Sequence, residues 1–182
     1  MLAAEGAGAT SSDLRENVLR GILAEFLVAK AIGAARTMRV GWDNFDVLTP
    51  TGVRLEVKSS AYLQSWSQKR LSTIRFSGLT GRSWDPKAGE TNHREIRAGV
   101  FVFAVQTCRD PELYDALDVK QWAFYVASAD AVQTNGARSV GLGFLDSHAV
   151  VLLGLEDFAA EVNAVGDASQ QLRRGDAPRH LK

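Results

Sequence analysis

FDVLTPTGVRLEVK, Phe45 to Lys58, reads as two short arms around Pro50-Thr51-Gly52. Proline presets the first position of a type I turn, and glycine accepts the left-handed residue that follows. The stretch therefore predicts a β-hairpin with a three-residue loop. In that register Thr49 faces Val53, Leu48 faces Arg54, Val47 faces Leu55 and Asp46 faces Glu56. Directly opposed residues share a face, with Cβ atoms roughly 5 Å apart. Lys58 lies on the same face as Glu56, about 6.5 Å along the strand. Phe45, Val47, Leu55 and Val57 take the other face. A two-residue loop would instead set Asp46 against Val57, but it leaves the proline and glycine without a role.

Two carboxylates facing each other repel, a poor choice in a purely structural strand pair. A divalent cation between them removes the conflict. Mg²⁺ takes a few carboxylate oxygens and waters, and substrate phosphate completes its shell. The Val57 carbonyl suits a backbone ligand. Lys58 would position an attacking water, help to deprotonate it and neutralise developing charge. The plain alternative is a solvated edge strand on which Glu56 and Lys58 form a charged stripe, since Glu-x-Lys by itself is a common tripeptide.

The segment before the hairpin, SSDLRENVLRGILAEFLVAKAIGAA (11–35), reads as a helix. Ser11 or Ser12 suits the N-cap, Asp13 and Glu16 the first turn, and Gly33 the end. At 100° per residue, Leu14, Val18, Gly21, Ile22, Val28, Ala29 and Ile32 all fall within about 60° of Glu25. Glu25 is thus expected at the centre of the sheet-facing stripe, with Glu16, Arg20 and Lys30 on the opposite side. A buried carboxylate needs a cation, a metal or the rim of a cleft. A tilted helix that carries Glu25 to solvent, or a structural ion pair, is the competing account.

Further along, LSTIRFSG, AGVFVFAVQT and QWAFYVAS read as strands, the second as a central buried one. RSVGLGF reads as a brief strand. SADAVQTNG reads as a capped short helix ended by Asn135-Gly136, and LEDFAAEVNAV as a closing helix. Residues 79–97 combine glycine, proline, asparagine and charge, and read as a long irregular loop. The domain organisation expected is a flexible tail (1–11), one domain (12–165) and a polar, disordered tail (166–182). The fold class is α/β, a mixed sheet flanked by helices.

These features resemble the PD-(D/E)xK nuclease superfamily, the restriction-endonuclease-like fold. Glu25 in LAEFLVAK, Asp46 in FDV, and Glu56 and Lys58 in EVK carry the resemblance. It spans roughly residues 13–126 as an αβββαβ-type architecture, but only four residues as a motif. Phe45 stands where a proline often precedes the aspartate. The resemblance implies a Mg²⁺-dependent nuclease, with Mn²⁺ able to substitute, that leaves a 5′-phosphate. Asp46 and Glu56, with the Val57 carbonyl, would hold the metal, and Lys58 would serve the water. Glu25 would orient the lysine, ligate a second metal or bind through water. DNA is the expected partner and a homodimer would suit double-strand cleavage. The alternative is a DNA-binding module that keeps the fold without the chemistry. A metal-dependent hydrolase of a small phosphate compound is a third reading, and it predicts an enclosed pocket.

Around this motif, Ser59 and Ser60 are candidates to touch phosphate, and Gln64 to assist the site or the nucleic acid. Lys69, Arg70, Arg75 and Arg82 belong to a basic region. Between Ser67 and Arg97 seven cations stand against three acids, although the whole chain has 21 of each. Tyr62 and Trp66 could stack on bases, but ordinary packing explains them more simply. Three scattered histidines and a single cysteine, Cys108, argue against zinc and exclude an intramolecular disulfide. Neither a Walker A loop nor a Gly-x-Ser-x-Gly elbow is present. The N-terminus does not read as a signal peptide, no apolar run is long enough for a membrane helix, and a cytoplasmic protein is expected.

Overall fold

The computed structural model describes residues 13–34, 45–85, 89–152 and 157–175, with the backbone alone for 82–85, 89–94 and 170–175. The expected N-terminal tail, the caps Ser11 and Ser12, the Arg82 side chain and residues 176–182 lie outside the described residues.

A helix, α1 (Asn17–Ala31), precedes the hairpin of β1 (Val47–Leu48) and β2 (Arg54–Ala61). Val47 pairs with Leu55 and Leu48 with Arg54, the register expected from the three-residue loop. Gly52 sits at φ 86°, the left-handed conformation the turn requires. Two small strands follow, β3 (Arg75–Ser77) and then β4 (Gly81–Asp85), with β5 (Gly89–Glu95) returning along β4. The expected irregular loop at 79–97 is therefore largely a ribbon. Its strands are rich in polar residues and offer no apolar alternation to read.

β6 (Val100–Gln106) is buried along its whole length, as its unbroken apolar run requires. β7 (Trp122–Ser128), α2 (Ala129–Asn135), β8 (Ser139–Gly141), α3 (Leu142–His148), β9 (Val150–Leu152) and α4 (Phe158–Gly175) complete the chain. α2 has the expected ends, with the Ser128 side chain capping Ala131 N–H and Gly136 at φ 64°. α3 and β9 were not legible as separate elements. α4 runs on to Gly175, past Val165 where the polar tail was expected to begin. Gly166 and Ser169 are buried, so an inward face persists within an otherwise polar sequence.

The main sheet has the order β1-β2-β6-β7-β9. β2 and β6 are parallel, and the other neighbours antiparallel. The α/β expectation of a mixed sheet flanked by helices holds. On one face Leu55, Val57, Val102 and Phe124 meet α1 and α4 through Ala24, Leu27, Val28 and Phe158. On the other, Phe101 and Phe103 meet Phe76 of β3, Val140 of β8 and Val132 of α2. β3 pairs with β8, forming a small second sheet over that face. No described helix is long and apolar enough to cross a membrane.

Candidate active site and its adjoining cavity

The site begins where β1 stops. Asp46 N–H donates to the Leu55 carbonyl, and the Asp46 carboxylate then accepts the Val57 N–H at 2.8 Å. The side chain thus replaces the next rung of the ladder. A strand residue turns its N–H and C=O to the same side, so the Val57 carbonyl also points past the end of β1. The pairing of β1 ends at Val47 and Leu55, and Asp46, one residue before it, bonds Leu55 through its N–H and Val57 through its carboxylate. Glu56 and Lys58 are opposed to Phe101 and Phe103 on β6, which puts both on the sheet face away from α1. The Lys58 ammonium donates to Glu56 Oε1, and both side chains are about three-quarters buried.

Glu25 is partly buried and does not mark the centre of the inward face of α1. That centre is Arg20, Ala24, Leu27 and Val28, while Val18 and Ile22 are 66% and 57% exposed. The helix is turned relative to the expected stripe. Glu25 lies on its flank, one turn from Gly21, whose missing Cβ would come within 3.9 Å of Ser59 Oγ. Glu25, Asp46 and Glu56 each make further contacts. Among the described residues no three His, Cys, Asp or Glu side chains form a cluster able to hold a metal ion. Two carboxylates and a carbonyl at one strand edge still match the oxygen chemistry of Mg²⁺, which keeps several waters in its shell.

Beside Lys58 opens a polar cavity of about 400 Å³. Ser59, Ser60, Gln64 and Arg75 of the expected nucleic-acid set line it together with Lys58. Lys69 and Arg70 instead line a neighbouring cavity that shares Gln64 and Trp66 with the first. Gln64 is buried: it donates to the Ala61 carbonyl and accepts from Arg20. Gln68 fastens the loop after β2 by accepting the Gln64 N–H and donating to Ser72 Oγ. Tyr62 lies under the Arg109 guanidinium, 4.3 Å from its ring centre. Trp66 is 56% exposed at the junction of the two cavities, so it is not the packed side chain expected.

Arg20, Asn17 and Thr73 also line the first cavity and were not singled out in the sequence. Arg20 is the clearest reversal, expected on the solvent side yet only 4% exposed. Its one available signal was its i, i+4, i+8 spacing with Ala24 and Val28, beside Gly21, whose lack of a side chain lets α1 approach β2.

The fold and this edge define an α/β protein with a polar, cation-lined cavity beside the end of its hairpin. The family model of bacteriophage T4 endonuclease IV matches residues 3–81, a span holding Glu25, Asp46, Glu56, Lys58 and the walls of the cavity. That likeness supports a nuclease. No curated protein matches the chain.

Proposed function

We propose that this chain is a divalent-metal-dependent nuclease of the PD-(D/E)xK kind that hydrolyses phosphodiester bonds in DNA. The observation that carries the reading is the end of the hairpin. There the Asp46 carboxylate accepts the Val57 N–H, and Glu56 on the facing strand holds Lys58 two residues on. The likeness to an endonuclease family over the same residues supports it, and makes DNA the favoured substrate.

In this reading Asp46, Glu56 and the Val57 carbonyl would hold Mg²⁺ or Mn²⁺, which would supply Lewis-acid polarisation of the phosphate. Lys58, fixed by Glu56, presents its ammonium to the phosphodiester and offsets the negative charge that builds on a non-bridging oxygen. A water oxygen bonds to phosphorus as the bond to the leaving sugar oxygen breaks. The water's proton passes to solvent, and the leaving oxygen takes one up. Glu25, on the flank of α1, would contribute only through bound water, because Lys58 lies on the opposite sheet face.

The test incubates wild type, Asp46→Ala and Lys58→Ala with single-stranded, duplex and branched DNA in Mg²⁺ or Mn²⁺. Wild type should cut at least one substrate, with each variant slower by about a hundredfold or more. Equal cleavage by all three ends the catalytic assignment. Tight metal-independent binding without cleavage would favour a non-catalytic DNA-binding module.

A further inference from the structure

Among the described residues, Arg20 is a buried cation without an anion. Its Nη1 donates to the Arg15 carbonyl at 2.9 Å and to Gln64 Oε1 at 3.3 Å, and its Nη2 donates to Asn17 Oδ1. All three acceptors are neutral. Nε is buried with no partner, and among the described residues no carboxylate pairs with the guanidinium. Burial pushes its pKa down, eased in small part by the nearby Tyr114. An arginine cannot shed its proton to escape that penalty. A fixed, dehydrated charge of this kind calls for an anionic ligand.

The group opens into the same cavity as Lys58. The other walls are rich in donors. Asn17 spends its oxygen on Arg20 and keeps its amide protons free to donate, while Ser59 and Thr73 offer hydroxyls. Ser60 Oγ accepts the Arg75 N–H and keeps its own proton to give. A donor-rich pocket around an uncompensated guanidinium fits a phosphate group, the only anion a DNA strand carries.

We propose that Arg20 anchors the phosphodiester next to the one that Lys58 faces, so that two successive phosphates of one strand set the register of cleavage. The proposal rests on the nuclease reading. In it Arg20 is a positioning residue for the scissile bond and a binding residue for its neighbour.

The probes are single-stranded oligonucleotides, each with one uncharged methylphosphonate linkage at a different distance from the mapped cut. Single-turnover cleavage in Mg²⁺ and anisotropy in chelator are both read, for wild type and Arg20→Gln. One neutral linkage beside the cut should cost wild type about tenfold and cost Arg20→Gln almost nothing. The assignment is overturned if no linkage distinguishes the two proteins. It is equally overturned if an abasic site, rather than a neutral linkage, does so. If Arg20→Gln shows no thermal unfolding transition, Arg20→Lys, which keeps the charge but lacks Nε, takes its place. A smaller positional effect then supports the anchor, and an unchanged one removes it. Cleavage of the unmodified strand is scored apart. Cutting without a positional effect sinks the role of Arg20 alone. If no strand is cut, an all-methylphosphonate strand is compared with its unmodified parent by anisotropy: weaker binding of the neutral strand by wild type but not by Arg20→Gln keeps the anchor and sinks the nuclease reading alone.

Discussion

Asp46 holds two jobs in one carboxylate. It closes the hairpin by accepting the Val57 N–H, and it offers charge at the end of β1. The two jobs separate chemically. Asp46→Asn keeps an oxygen that can accept the Val57 N–H, so its urea unfolding midpoint should stay near wild type. Asp46→Ala removes the acceptor and should cost about 1–3 kcal/mol. Both should lose nearly all cleavage, because neither has a carboxylate. A folded Asp46→Asn that cuts at close to the wild-type rate would reduce Asp46 to a structural cap. The pairing of Val47 with Leu55 and Leu48 with Arg54 was legible because strand parity is fixed once the turn is known. Arg20 was not. Apolar residues run most of the way around α1, so its sequence does not say which side faces the sheet. Val18, Ile22 and Phe26 were as eligible as Ala24 and Val28, and the small residues won because they allow closer approach to β2.

Among the elements, legibility followed the presence of a buried face. β6 announced itself by six consecutive apolar residues that all became core, and α2 by its serine cap and terminal glycine. The β4–β5 ribbon did not, since its strands carry chiefly polar side chains. α4 was legible only as far as Val165. Beyond it the inward positions are Gly166 and Ser169, too small or polar to register as an apolar stripe. Their burial still has an energetic signature. A Cβ on Gly166 would stand 2.9 Å from Val53 Cγ2 and 3.0 Å from Cγ1, and Val53 is itself buried beside the hairpin loop. Gly166→Ala should therefore destabilise by about 0.5–2 kcal/mol, overpacking outweighing the gain in helix propensity. Gly143 in α3 has open space around it, and Gly143→Ala should stabilise by roughly 0.5–1 kcal/mol. Thermal melts of the two variants check the pair. If Gly166→Ala stabilises like Gly143→Ala, the end of α4 is not seated on Val53.

Taken as a whole, the molecule separates its framework from its chemistry. The sheet is closed on both faces by apolar clusters, and polar side chains gather where β1 ends early and leaves the far half of β2 as an open edge. Charge follows the same division. A chain with equal numbers of acids and bases has no general attraction for DNA, yet the cations between Ser67 and Arg97 exceed the acids by four. Arg75 from this region lines the cavity that holds Lys58 and Arg20, and Lys69 and Arg70 line the next one. Binding driven by such a local surface should depend on salt even though net charge is zero. For a single strand, log K against log salt should fall with a slope of about −2 to −4, the value for three to five neutralised phosphates. Lys69→Gln and Arg75→Gln should each make the slope shallower by about 0.7, and the double variant by about twice that. Anisotropy titrations from low to moderate salt in chelator measure this without cleavage. A slope near zero, or one indifferent to both substitutions, would place the DNA elsewhere on the surface, because displaced counterions are counted only where phosphates meet cations.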